Sequence, residues 1–202
     1  MARRHPLVAV TSLTRAGVEA CTDFLESIST KFDEFWLPLP REMCEGKPAD
    51  LGPLEGYLEP LLGLYHEIKA RWRCYESVES LKRREVAAVK LAALVIKAKV
   101  FERVELREWD GVFPRAAESP PAPSLVFGVP PSGDVTICGT YPPNPLEVAS
   151  DIWHRLTPEG KLTLVRWIVR YIEQVVSSVN LDEAHYKVLR LGWGDAYRSL
   201  LR

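Results

Sequence analysis

The sequence predicts a mainly α fold, a helical bundle of about five to six helices with a Pro-rich β-hairpin insertion. Three observations predict it. Apolar residues recur at spacings of three and four over most of the chain, nine of its 16 prolines fall between Asp110 and Pro145, and helix-start signals return directly after that stretch. At 202 residues the chain suits one core. A single domain over 1–202 is expected, with N-terminal helices in 14–109, the insertion in 110–145 and C-terminal helices in 146–202.

The first helix is predicted over 14–36, where Val18, Cys21, Leu25, Ile28, Phe32 and Phe35 form one apolar stripe. Pro38 and Pro40 stop it, because proline cannot donate to the helical ladder. Residues 39–53 read as loop. A second helix is predicted over 54–75, kinked or started at Pro60, and a third over 78–109. The apolar stripe of the third is wide enough to demand burial on more than one side, in a bundle or a subunit interface. Composition then shifts. The runs 124–129 and 134–139 favour strand and flank Pro130-Pro131-Ser132-Gly133, which predicts a hairpin. Asn144-Pro145-Leu146-Glu147 and Thr157-Pro158-Glu159 are helix starts. Leu162, Val165, Ile168, Ile172, Val175 and Val179 follow at helical period, Asn180 breaks it, and a last helix is predicted over 181–191, ending at Gly192.

The formal net charge is -1, so any electrostatic partner must be recognised by a local patch. The longest apolar run is too short to span a membrane, and the apolar stretch before Thr11 is too short for a signal peptide. A cytoplasmic location, or one inside a virion or nucleoprotein particle, is expected. One Gln, two Asn and 16 Pro suggest heat adaptation. Cys21, Cys44, Cys74 and Cys138 lack zinc spacing; a disulfide is compatible with a heat-adapted cell, and sequence does not choose the pairing.

Charge is distributed unevenly. Residues 19–59 hold ten acidic against three basic side chains, whereas 82–99 hold Lys82, Arg83, Arg84, Lys90, Lys97 and Lys99 against Glu85 alone. Arg83, Lys90 and Lys97 are seven apart and share a helix face, a pitch suited to a phosphate backbone. The plainer interpretation is a surface that pairs with acidic helices. Arg166 and Arg170 lie one turn apart beside Trp167 and Tyr171, and arginine with aromatics can stack bases. The candidate nucleic-acid-binding set is therefore Lys82, Arg83, Lys90, Lys97, Lys99, Arg166 and Arg170. Trp109 and Trp193, flanked by turn residues, are the tryptophans expected at the surface.

Two Asp-x-x-His pairs, Asp151 with His154 and Asp182 with His185, resemble half of a bundle di-metal site, but the further Glu ligands are not specified. Asp182-Glu183-Ala184-His185 lacks the phosphate loop that a helicase would require. No cofactor and no small-molecule substrate is evident, and no catalytic residue is assigned. The run Val95–Phe101 in a long helix resembles, over that helix alone, the helical subunits of archaeal replication complexes of the GINS type, and bundles with Pro-rich arms occur in coat proteins of viruses of hot-spring archaea. Membership of neither group is inferred. The expected function is a non-enzymatic structural subunit that associates with DNA or RNA through basic helix faces and with itself or a protein partner. The alternatives are a protein-only adaptor assembled through acidic and basic helices, and a small metal-dependent enzyme.

Overall fold

The computed structural model describes residues 7–11, 15–50, 55–68, 71–113, 124–127, 134–139 and 141–202. In chain order these form β1 (Leu7–Val10), α1 (Arg15–Ile28), β2 (Glu34–Pro40), α2 (Arg41–Cys44), α3 (Glu55–Glu67), β3 (Trp72–Glu76), α4 (Val78–Phe101), α5 (Leu106–Asp110), β4 (Ser124–Phe127), β5 (Asp134–Ile137), α6 (Pro145–Ile152), α7 (Pro158–Val176), α8 (Leu181–Arg190) and α9 (Trp193–Leu200). The described chain is mainly helical, and no described helix is long and apolar enough to cross a membrane. Where one domain over 1–202 is expected, the chain divides into two compact units, Met1–Glu85 with Ala116–Tyr141, and Val86–Arg115 with Pro142–Arg202.

The first unit departs from the expected helical bundle with a hairpin insertion. It holds a five-stranded sheet in the order β3-β2-β4-β1-β5, with every described pairing parallel. The predicted hairpin strands exist but do not pair with each other. β4 and β5 each pair with β1, one on either side of it. The hairpin expectation rests on the four-residue link Pro130-Pro131-Ser132-Gly133, since short links usually join antiparallel strands. It misses the continuous apolar run Leu7-Val8-Ala9-Val10, which suits a central parallel strand buried on both faces.

The predicted first helix ends at Ile28 and gives way to a short 3₁₀ turn, Ser29–Lys31. Hydroxyls compete for its carbonyls there: Ser27 Oγ donates to the Phe24 carbonyl at 2.7 Å and Ser29 Oγ to that of Glu26 at 2.8 Å. Phe35, Leu37 and Leu39 then alternate along β2 into the core. The prolines of β2 lie beyond its pairing with β4, which covers Glu34–Trp36, and its pairing with β3 shifts register between Leu37 and Pro40. The second predicted helix likewise ends early, at Glu67, and its tail is β3. Val18, Cys21 and Leu25 of α1, with Leu61 and Leu64 of α3, pack on Ala9, Phe35 and Leu37 of the sheet.

Two disulfides, Cys21–Cys138 and Cys44–Cys74, cross-link this unit. Beside the first, a Cβ on Gly139 would stand 2.5 Å from the Gly17 carbonyl oxygen and closer still to Thr11 Oγ1, so only glycine fits there.

The second unit follows the predicted C-terminal helices closely. Asn144 and Glu147 form a complete capping box on α6. Thr157 caps α7 through the Gly160 amide, and Asn180 caps α8 through that of Glu183. After Gly192, whose φ of 100° favours glycine, α9 replaces the predicted short tail. The third predicted helix is divided: α4 stops at Phe101, Glu102 turns the chain at φ 51°, and α5 is separate.

Trp109 and Trp193, expected at the surface, are 1% and 0% exposed. Each finds aromatic neighbours, Trp109 against Trp153 and Trp193 against Trp167 and Tyr197. The Trp193 indole N–H also donates to the Pro143 carbonyl at 2.7 Å, so its polar edge is satisfied inside. Around Trp153, the indole N–H and Lys161 Nζ both donate to Asp110 Oδ1, at 2.8 and 2.6 Å. The Lys161 bond, then that of Trp153, holds the Asp110 carboxyl below its ordinary range.

Candidate nucleic-acid interface

The seven candidate cations lie on α4 and α7, and the five whose side chains are described do not form one patch. Lys82 and Arg83 fall on α4 where side chains lie outside the described residues, so the Arg83-Lys90-Lys97 ladder is described only at its last two rungs. Lys90 is exposed. Lys97 is committed within its own unit, donating to both carboxylate oxygens of Glu108 on α5 at 2.7 and 2.9 Å. Lys90 and Lys97 share a face by their seven-residue spacing, while Lys99, two residues on, is turned about 200° from Lys97.

Lys99 belongs instead with the arginines of α7. Its ammonium lies 2.8 Å from Glu173 Oε1. Glu173 is three residues after Arg170 and seven after Arg166, hence on the same face of α7. Lys99, Arg166 and Arg170 are all exposed, so the second unit presents three cations and one carboxylate along one surface. Such exposed ion pairs contribute little stability, because solvent screens them, and a competing anion can displace the carboxylate.

The aromatic half of the expectation changes. Trp167 is 8% exposed and Tyr171 2%. The Arg170 guanidinium covers the Trp167 ring at 4.9 Å, which leaves that indole in the core. This surface can attract phosphates, but neither aromatic is a stacking platform for bases.

The two Asp-x-x-His pairs are taken up by structure. A ring nitrogen of His154 bonds the Phe113 carbonyl, and buried His185 Nε2 lies 2.9 Å from the Pro142 carbonyl. Each histidine pins a segment that precedes its helix. Among the described residues, no group of three or more His, Cys, Asp or Glu is placed to hold a metal ion.

One feature of the first unit has no counterpart in the sequence reading. Strands β1, β2 and β3 progress toward one sheet edge, whereas β4 and β5 return to either side of β1. Neighbours β4 and β1 therefore mark a change of direction in a parallel sheet, and Thr11, at the carboxyl end of β1, is buried there. Only the spacing of the strand segments could have disclosed it, and that spacing suggests a hairpin. The chain matches no protein-family model, no curated protein and no solved structure.

Proposed function

We propose that this chain is a non-enzymatic assembly subunit, coat-like or part of a nucleoprotein complex, that associates with nucleic acid through its helical unit. The observation that supports this reading is the exposed group Lys99, Arg166 and Arg170 on one surface of that unit. With Trp167 and Tyr171 buried, contact is to phosphates and tolerant of sequence. The test is binding of a labelled random-sequence duplex over a salt series. Three phosphate contacts give a slope of log K against log salt near about -2.7, and reversing Arg166 and Arg170 to Glu reduces it to about -0.9. Absence of binding at low salt sinks the duplex reading.

A second reading is favoured by the sheet topology. Open parallel α/β sheets bind ligands outside the carboxyl ends of their strands where strand order changes direction. In this chain that place is the end of β1 beside β4, and the occupant is a small ligand rather than a polymer. The analogy is one of fold alone. It predicts that some member of a panel of mono- and dinucleotides raises the melting temperature of the full chain, increasingly with concentration. A panel without effect removes nucleotides as the occupant.

A further inference from the structure

Acidic side chains of α1 and α3 face each other across a groove in the first unit. The two helices pack side by side on one face of the sheet, and the groove between them measures about 180 Å³. Val18 of α1 with Pro60 and Leu64 of α3 forms an apolar floor. A Cβ on Gly63 would meet nothing within 4 Å, so the groove is open above that residue. Small-molecule pockets hold roughly 300–1,000 Å³, so this one takes a single side chain and not a cofactor.

The rim indicates which side chain. Glu19, Glu59 and Glu67 line it, and all three are exposed. Glu59 and Glu67 have no ion-pair partner among the described residues. Neither helix carries a lysine, and the one arginine, Arg15, is the first residue of α1. Glu59, Gly63 and Glu67 are spaced four apart on one face of α3, which sets the two carboxylates about 12 Å apart along the axis. Pro60 has no N–H to offer the Gly56 carbonyl one turn earlier, which adds a backbone acceptor at the Glu59 end. Such a rim repels nucleic acid and favours a cation. Lysine and arginine match both parts, because the methylene stem lies on apolar surface while the charged head stays in water at the edge.

We propose that the groove between α1 and α3 docks a basic peptide segment of a protein partner. One Lys or Arg side chain of the segment lies along Val18, Pro60 and Leu64, with its cation at Glu59 or Glu67. A second basic residue of the segment meets the other carboxylate. The contact uses none of Lys99, Arg166 and Arg170, so it neither needs nucleic acid nor competes with it for those residues.

The test is binding of the labelled full chain to an array of short peptides of random sequence, at low and at moderate salt. Bound peptides are enriched in Lys and Arg, and their signal falls as salt screens the exposed carboxylates. Gly63→Leu fills the groove from a position with helical backbone and free space at Cβ, and Leu favours helix over Gly, so the fold is kept. It abolishes binding of those peptides. Glu59→Gln with Glu67→Gln, at two exposed positions, weakens the tightest of them by about fivefold in fluorescence anisotropy, the loss of two screened ion pairs. An array without a bound peptide, bound peptides not enriched in Lys and Arg, or binding indifferent to Gly63→Leu or to the paired Gln changes overturns the proposal.

Discussion

The two units are held together by different means. The first joins strands far apart in sequence, packs an aliphatic core of Val18, Leu25, Leu37, Leu61 and Leu64, and carries both disulfides. The second has no cysteine. It is built from well-capped helices around four buried tryptophans, with His154, His185 and Trp193 each bonded to a backbone carbonyl of an earlier segment. Long-range pairing costs loop entropy before it gains contacts, and a cross-link removes part of that cost from the unfolded chain. The helical unit forms its elements locally, so its long-range demand is met by aromatic packing and hydrogen bonds.

The largest effect expected from this contrast is that of the cross-links. Cys21–Cys138 joins residues 117 apart, and the loop-entropy relation assigns it about 5 kcal/mol at most, against ~3.6 kcal/mol for Cys44–Cys74 at a separation of 30. Replacing Cys21 and Cys138 with Ser lowers the protection of amides in β1, β2 and α1 in native-state hydrogen exchange. Amides of α7 and α8 keep theirs. Equal loss in both units would show that they unfold as one, and the contrast would fail.

The reciprocal perturbation is Trp193→Ala. It deletes a fully buried indole and leaves the Pro143 carbonyl without its donor, a change that costs about 3–5 kcal/mol in cores of this kind. Protection falls in α7, α8 and α9 and is retained in β1 and β2. Trp193→Phe keeps most of the packing and costs less, which separates the hydrogen bond from the ring.

The same contrast explains what is legible in the sequence. Asn144, Glu147, Thr157 and Asn180 act where their positions predict, because a cap is decided within four residues. Phe32 and Phe35 mislead: their spacing extends the α1 stripe, but serine hydroxyls end the helix first and Phe35 enters the core from a strand. Four-residue strands such as β4 and β5 carry no period of their own, and their partner, β1, lies more than a hundred residues earlier. At the candidate interface, Arg166 and Arg170 are exposed as expected, whereas the diversion of Lys97 to Glu108 depends on where α4 stops and α5 starts. Trp109 and Trp193 lie beside turn residues, and turns suggest surface. Both are buried because their neighbours in space come from other helices.

The smallest effect is a pH dependence confined to the second unit. His185 is 1% exposed, and only its Nε2–H can serve the Pro142 carbonyl, so Nδ1 is an acceptor, buried and without a hydrogen-bond partner among the described residues. Burial pushes the imidazole below its ordinary value of 6.5, outweighing the carbonyl bond and Asp182, which both pull it upward. The folded state thus binds a proton less readily than the unfolded chain. The stability this contributes is complete above about pH 6.5 and declines as pH falls from there toward the depressed folded value. Asp110, held low by Lys161 and Trp153, acts in a separate window below its ordinary 3.8. Denaturant unfolding from about pH 7.5 down to about pH 5 should therefore show a loss of stability that His185→Gln diminishes, since the Gln amide can donate to Pro142 but does not titrate in that range. If wild type and variant lose stability in parallel, the titrating group lies elsewhere, and the His185 contact is then a packing feature without a role in the pH response.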